Sequence, residues 1–255
     1  MRLSVSGLVH SLSMAALGVA ALVAIPMTTA SAGDSTTADT VVELFTSQGC
    51  ASCPPADRIA GELTKRDHLI ILSMPVDYWD YLGWKDTFAK HAFTERQRDY
   101  ARARGDGQVY TPQVVVNGLA HAVGSEAGNI EAAISATNAQ LAGKRVALKL
   151  VKSGDGVDVQ IGDAPAGVSG DGAKVILADF KSSADVKIGR GENGGSKVTY
   201  FHVVRELKSI GDWSGKAQSI HLTMADLTAA GSDGCAVFLQ AGKAGAILGS
   251  AQMGW

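Results

Sequence analysis

The sequence predicts an α/β domain over residues 41–143 followed by a small all-β, sandwich-like domain over residues 144–255. Three observations carry that expectation. Up to Leu141, apolar runs alternate with helical patterns in the order strand, helix, strand, helix, strand, strand, helix, the order of a sheet with helices packed on it. From Lys144 the texture changes to short strand candidates separated by Gly-rich turns, which argues an all-β unit. Hydrophobic residues make up 46 % of 255 positions, enough to bury the core of one large or two modest domains.

The first 32 residues read as a cleavable leader. Arg2 supplies a positive start, residues 14–25 are apolar, and Ala30-Ser31-Ala32 fits the small-residue cleavage rule. The apolar stretch is short against the roughly 20 residues of a bilayer span, and no later segment is long and apolar enough to span a membrane. The mature protein is therefore expected to begin at Gly33, exported to the periplasm or beyond the cell, with residues 33–40 as a small, polar tether. Formal net charge is −2, which gives no reason to expect nucleic acid or an anionic membrane surface as partner.

Residues 41–45 form a buried-strand pattern. Cys53 and Pro54 each precede a proline, which biases both away from the α region, so a helix is expected from about Pro55, with Cys53 ahead of it. Ile59, Ala60 and Leu63 give its apolar face. Residues 69–74 read as a second buried strand. An aromatic segment, residues 77–84, follows with Tyr78, Trp79, Tyr81 and Trp84. Thr94 and Gln97 have the form of a capping box, Gly105 is a helix terminator, and Arg96, Arg98, Arg102 and Arg104 read as a solvated helix face. Residues 109–118 give a strand ending in Asn117-Gly118, a strong hairpin signal, with residues 119–123 as its partner. Asn129 caps a last helix that Gly143 ends. Beyond it, strands are expected at residues 147–152, 157–161, 174–180, 185–188, 198–207, 218–224, 236–240 and 246–252.

The chemistry-bearing stretch is Cys50-Ala-Ser-Cys53, between the first strand and the first helix. Three cysteines, with Cys235 as the third, make one pair and one remainder. The loop closed by Cys50 and Cys53 is too short to constrain much unfolded-state entropy, so the pair reads as chemical rather than structural. The residues leave three readings open: a redox dithiol/disulfide, an inert disulfide, or metal binding. Haem attachment is excluded, since no histidine follows Cys53. Cys235 reads as an inert buried thiol and His202 as a structural mid-strand residue. A strand–helix–strand unit makes the first two strands parallel. Their C-terminal ends then share one sheet edge, where such folds place ligands. That edge collects Cys50, the aromatic segment and, if the next strand is antiparallel, Thr111-Pro112, a candidate cis peptide.

Taken together, Cys50-Ala-Ser-Cys53 after a buried strand and Thr111-Pro112 entering a strand that ends Val-Asn-Gly resemble the thioredoxin superfamily. From Val41 to Trp255 the chain also resembles a narrower group, the exported bacterial proteins of domain of unknown function family 1223. That likeness runs through residues 43–57, 76–84, 94–97, 110–113 and 193–205. The resemblance implies a thioredoxin-like N-terminal domain, with Cys50 as nucleophile, Cys53 as resolving cysteine, Pro112 as cis-proline and Thr111 facing the disulfide. Glu43 resembles the buried acid that assists proton transfer, one position further from the first cysteine; a solvated or paired carboxylate is the other reading. Gly49 stands where thioredoxins carry tryptophan.

The function expected on these grounds is an exported thiol–disulfide oxidoreductase acting on protein or small-molecule thiols and disulfides, with no cofactor and no resident metal. Tyr78, Trp79 and Trp84 would line a substrate platform, or else pack as core or interdomain seam. The alternative is a thioredoxin-fold Cu(I) carrier, with His91 or His121 as third ligand, or a non-catalytic binding scaffold.

Overall fold

A computed structural model describes residues 1–4, 35–228 and 231–255. The expected leader and its cleavage site fall almost wholly outside the described residues. The strands are β1 (Thr36–Ala38), β2 (Thr40–Thr46), β3 (Leu69–Pro75), β4 (Gln113–Val116), β5 (Ala120–Val123), β6 (Leu148–Ser153), β7 (Gly156–Ile161), β8 (Ala173–Lys187), β9 (Lys197–Trp213), β10 (Gln218–Thr223), β11 (Gly234–Gln240) and β12 (Ile247–Gly254). The helices are α1 (Pro54–Leu63), α2 (His91–Arg104), α3 (Ala127–Leu141) and the one-turn α4 (Met224–Leu227).

β2 and β3 are buried along their whole length, as their near-continuous apolar runs require of strands covered on both faces. They pair in parallel, and β4 joins β2 antiparallel. The Asn117-Gly118 turn takes positive φ at both residues, 51° and 71°, which turns β4 into β5 as an Asn-Gly hairpin should. Alternation along β2 sends Val42 and Leu44 to a core shared with α1 and α3, and Val41 and Phe45 to a core shared with Phe93 and Tyr100 of α2.

The expected break at residue 143 is not a break in the sheet. One nine-stranded sheet runs β1-β12-β11-β8-β9-β3-β2-β4-β5, and Ala32–Trp255 form one unit. The fold is mixed α/β with a large curled sheet and few helices. The second half of the chain inserts β9 beside β3, joined through Ser73 and Val203. A separate three-stranded sheet, β10-β7-β6, covers the far part of the large one and encloses the core around Val159, Leu177, Trp213 and Val237.

Other expectations also change. Thr36–Ala38, read as tether, form an edge strand along Ser250–Gln252. The strands expected at 174–180 and 185–188 are one strand, β8, whose polar middle pairs with β9 across a register shift. Thr94 lies inside α2 rather than capping it; its hydroxyl bonds the Asp77 carboxylate at 2.5 Å instead. Asn129 likewise lies within α3. Gly105 ends α2 with φ 78°, as expected.

Candidate functional site

β2 delivers the chain into a tight turn. Cys50 N donates to Ser47 O at 3.2 Å, and Cys53 N to Cys50 O at 3.1 Å. Cys50 and Cys53 form a disulfide with Cα atoms 5.4 Å apart. Cys53 is the N-cap of α1 and so sits ahead of the helix, although its backbone is helical and the helix begins at Pro54, one residue early. Pro54 and Pro55 carry no N–H. The first amides of the helix, Ala56 and Asp57, both donate to Cys53 O. The N-terminus therefore offers the sulfurs its dipole but no free donor.

Cys50 is 1 % exposed and Cys53 0 %, whereas Ala51 and Ser52 between them are exposed. Cys50, the nucleophile the resemblance implies, is thus buried, and the turn that carries it is held by a residue from far along the chain. Asn193 Nδ2 donates to Gln48 O and Cys50 O, each at 2.9 Å. Ser52 Oγ lies 3.4 Å from Cys50 Sγ and donates to Thr111 O at 3.5 Å, which ties the disulfide turn to the Thr111–Pro112 peptide, cis as anticipated. A cleft of about 520 Å³ between α1 and β9 starts at Pro54 and is lined by Arg58, Lys65, Lys197 and Phe201.

The aromatic segment reaches this edge unevenly. Trp79 Nε1 donates to Thr111 Oγ1 at 2.7 Å. A Cβ at Gly49 would stand 3.1 Å from Trp79 Cβ, so the glycine at this position leaves room for a tryptophan supplied from elsewhere. Trp84 Nε1 donates to Gln48 Oε1 at 2.8 Å, and its ring packs with Phe88, Val186 and Ile188. Tyr78 turns to α2, its hydroxyl donating to Gln97 at 3.1 Å. Trp79 and Trp84 frame the site and Tyr78 braces it, while Tyr81 is the exposed one, at 78 %.

Glu43 does not stand beside the disulfide. Alternation places it on the α2 face of the sheet, opposite α1. There Arg96 Nε donates to Oε1 at 2.6 Å and Arg96 Nη2 to Oε2 at 3.2 Å, with the Tyr100 hydroxyl donating to the same carboxylate. Gln240 from β11 bonds that hydroxyl at 2.9 Å. Burial would lower the Arg96 pKa, but the Glu43 charge holds it above its ordinary value. Arg96 is thus a buried partner, not part of a solvated face.

The buried acid on the α1 side of the sheet is Asp57, in the first turn of that helix. It lies four residues after Cys53, on the same helix face, and is 1 % exposed. Thr46 Oγ1 donates to its Oδ1 at 2.8 Å, and Oδ2 has no hydrogen-bond partner. Burial pushes its pKa up to about 8, opposed by the Thr46 bond and reinforced by Asp86. Asp86 is raised by burial as well, though it accepts from Gln48 N at 2.7 Å and from Phe88 N and Ala89 N. Gln48 and Asn193 were also missed as site residues. An Asn-Gly-Gly turn gives a local signal for a bend, but none for the carbonyls its side chain reaches.

The remaining candidates lie elsewhere. His91 bonds Asp77 at 3.0 Å, and His121 bonds the Tyr110 hydroxyl at 2.8 Å; neither is placed with the cysteines. Among the described residues no group of three His, Cys, Asp or Glu side chains is arranged to hold a metal ion. Cys235 is buried and free, its thiol pushed up to about 12 by burial and by Asp179. His202 bonds Ile71 O at 3.1 Å and stacks on Phe180. No helix among the described residues is long and apolar enough to cross a membrane.

A family model described as "Protein of unknown function (DUF1223)" matches residues 41–240. Comparison with curated proteins gives no match. Among solved structures, the crystal structure of protein AGR_C_4864 from Agrobacterium tumefaciens is similar at 36 % identity and TM-score 0.74, over 85 % of this chain and 94 % of that one. HBP35 of Porphyromonas gingivalis is similar in fold, at 14 % identity and TM-score 0.56, over 86 % of this chain and 76 % of that one. The chain belongs to the DUF1223 family.

Proposed function

We propose that this member of the DUF1223 family is an exported thiol–disulfide oxidoreductase whose α/β part is of the thioredoxin type. The observation that carries the reading is the Cys50–Cys53 disulfide at the start of α1, linked through Ser52 to Thr111 beside Pro112. An inert disulfide does not call for a buried carboxyl in the first turn of the helix that its second cysteine caps. Asp57 is such a group, with one oxygen unpartnered.

In the proposed reaction a substrate thiolate attacks Cys50 Sγ. The Cys50–Cys53 bond breaks, its electron pair leaving on Cys53, and a mixed disulfide forms between substrate and Cys50. Protonated Asp57 supplies the proton that Cys53 takes up. A second substrate thiolate then attacks the substrate sulfur of the mixed disulfide and releases Cys50. The substrate dithiol is oxidised to a disulfide and the Cys50/Cys53 pair is reduced by two electrons; the two protons the substrate thiols released to solvent on forming thiolates are matched by two taken up from solvent, one by the Cys50 thiolate and one by Asp57 as it is reprotonated. The same steps reversed reduce a disulfide, with Asp57 accepting the proton.

The test is turnover of insulin disulfides in dithiothreitol, with Cys50→Ala and Cys53→Ala beside the wild type. Cys50→Ala is expected to abolish turnover, and Cys53→Ala to accumulate mixed disulfides seen by non-reducing mass spectrometry. A wild type without activity, and two variants with equal losses of stability and no adducts, would sink the reading.

A further inference from the structure

The turn between β8 and β9 reaches the cysteine turn, where Asn193 bonds Gln48 O and Cys50 O. Ile188 N donates to Ser196 O at 2.9 Å and Gly195 N to Ile188 O at 2.8 Å, closing a tip in which Gly191 and Gly195 take φ of 76° and 84°. Trp84 packs under the tip so closely that a Cβ at Gly189 would meet its ring at 2.9 Å. Arg190, Glu192, Gly194, Gly195 and Ser196 are all exposed, so the tip is a surface feature laid on the site rather than a piece of core. Asn193 gives the tip a polar grip on the cysteine turn, through Gln48 O and Cys50 O.

We propose that this tip is a gate, and that Asn193 occupies two carbonyl acceptors which an extended polypeptide substrate takes over with its own backbone N–H groups. The inference rests on the disulfide-exchange reading and adds a substrate class to it. A nucleophile must reach Cys50 Sγ, yet Cys50 is 1 % exposed, so opening precedes exchange. Opening strips Gln48 O of its Asn193 donor and leaves Cys50 O only the Cys53 N–H, and a carbonyl that loses its donor is costly once a docked substrate keeps water from it. A small thiol brings no row of backbone N–H donors to span both carbonyls. A peptide strand brings an N–H at every residue, so it can exchange its own bonds for those of Asn193 while its cysteine meets Cys50. The gate thus favours polypeptides over small thiols.

The experiment measures second-order rate constants for reduction of the Cys50–Cys53 disulfide in the full mature chain, for wild type, Asn193→Ala and Asn193→Asp. The probes are dithiothreitol, a ten-residue single-cysteine peptide, and the same peptide with N-methylated amides on both sides of its cysteine. Losing two hydrogen bonds of ordinary strength should speed reduction by dithiothreitol about tenfold in both variants. Asn193→Asp keeps the size of the side chain, and agreement between the variants excludes a packing effect. The wild type should react several-fold faster with the plain peptide than with the N-methylated one. Unchanged dithiothreitol rates in both variants would overturn the gate; equal rates for the two peptides would overturn the polypeptide assignment. Reduction by dithiothreitol reads access alone. Faster reduction in the variants without any insulin turnover by the wild type would therefore support the gate while counting against the oxidoreductase reading.

Discussion

Two carboxylates, Glu43 and Asp57, stand on opposite faces of one strand and show how far a residue's role depends on its side of the sheet. The alternation of β2 is readable from sequence: with Val42 and Leu44 on one face, Glu43 must take the other. What was not readable is that α1 lies on the face of Val42. The burial of Asp57 was hidden too, because it comes with Thr46 of β2, which bonds it across the helix–sheet interface. Asp57 makes a sharp expectation about pH. Its folded pKa of about 8 lies above the ordinary carboxylate value of 3.8 because the site is buried. The folded state then binds more protons than the unfolded one, so the stabilisation is complete below about pH 4 and is lost as pH rises towards 8. Asp179, buried with neither oxygen hydrogen-bonded and Lys208 Nζ 3.9 Å from Oδ2, is pushed up to about 7 by burial against the pull of Lys208 and acts in the same direction. Asp57→Asn is expected to raise the melting temperature relative to wild type at pH 8 and to change it little at pH 5, and Asp179→Asn should do the same more weakly. A melting-temperature difference that is flat across pH 5–8 would mean that neither carboxyl titrates in that window. If Asp57 moves the proton of Cys53, Asp57→Asn also slows disulfide exchange despite its added stability.

Elements were legible wherever local chemistry decides them. The buried runs of β2 and β3, the Asn117-Gly118 hairpin and the Gly105 terminator follow from patterns of a few residues. The helix start erred by one residue, since the bias of a pre-proline position is a preference and the disulfide turn holds Cys53 in a helical conformation. The long ribbon of β8 and β9 was read as shorter pieces because its polar middle, Lys181-Ser-Ser183, breaks the apolar pattern of β8. The packing of α1 on β9 has no sequence signal, yet it fixes one residue closely. A Cβ at Gly61 would lie 2.5 Å from the Phe201 ring. Gly61→Ala is expected to destabilise by about 1–3 kcal/mol, the usual cost of overpacking, in spite of alanine's better helix propensity. Phe201→Leu alone should also destabilise, but in the Gly61→Ala background it should recover part of the loss, giving a non-additive cycle in urea denaturation. Simple additivity would place the clash elsewhere.

For the whole molecule, the change of texture at Lys144 is real, but it is not a seam. Composition reports what kind of element forms, whereas the sheet to which a strand belongs is set by pairings far apart in sequence. Several such pairings cross residue 143. β9 lies beside β3, Ser73 Oγ donates to Phe201 O at 2.7 Å, and Ile247 N donates to Asn117 O at 2.9 Å. Gln240 completes the Glu43, Arg96 and Tyr100 network. Removing residues 144–255 would uncover one edge of β3, strip Gly61 and its helix of Phe201, and leave the buried Tyr100 hydroxyl without Gln240. It would also take away Asn193 and so bare the disulfide. An exposed apolar strand edge is an aggregation hazard, and the core around Ile70, Phe93, Val204 and Phe238 is shared by both halves. A chain of residues 33–143 is therefore expected to lack a cooperative unfolding transition by circular dichroism and to aggregate, while residues 33–255 unfold in one transition. A cooperative melt of the short chain with dispersed amide resonances would show that the first half carries a sufficient core and that the second docks onto a finished domain. In that event the short chain should reduce faster with dithiothreitol than the mature protein does, because it has lost the gate together with its partner strands.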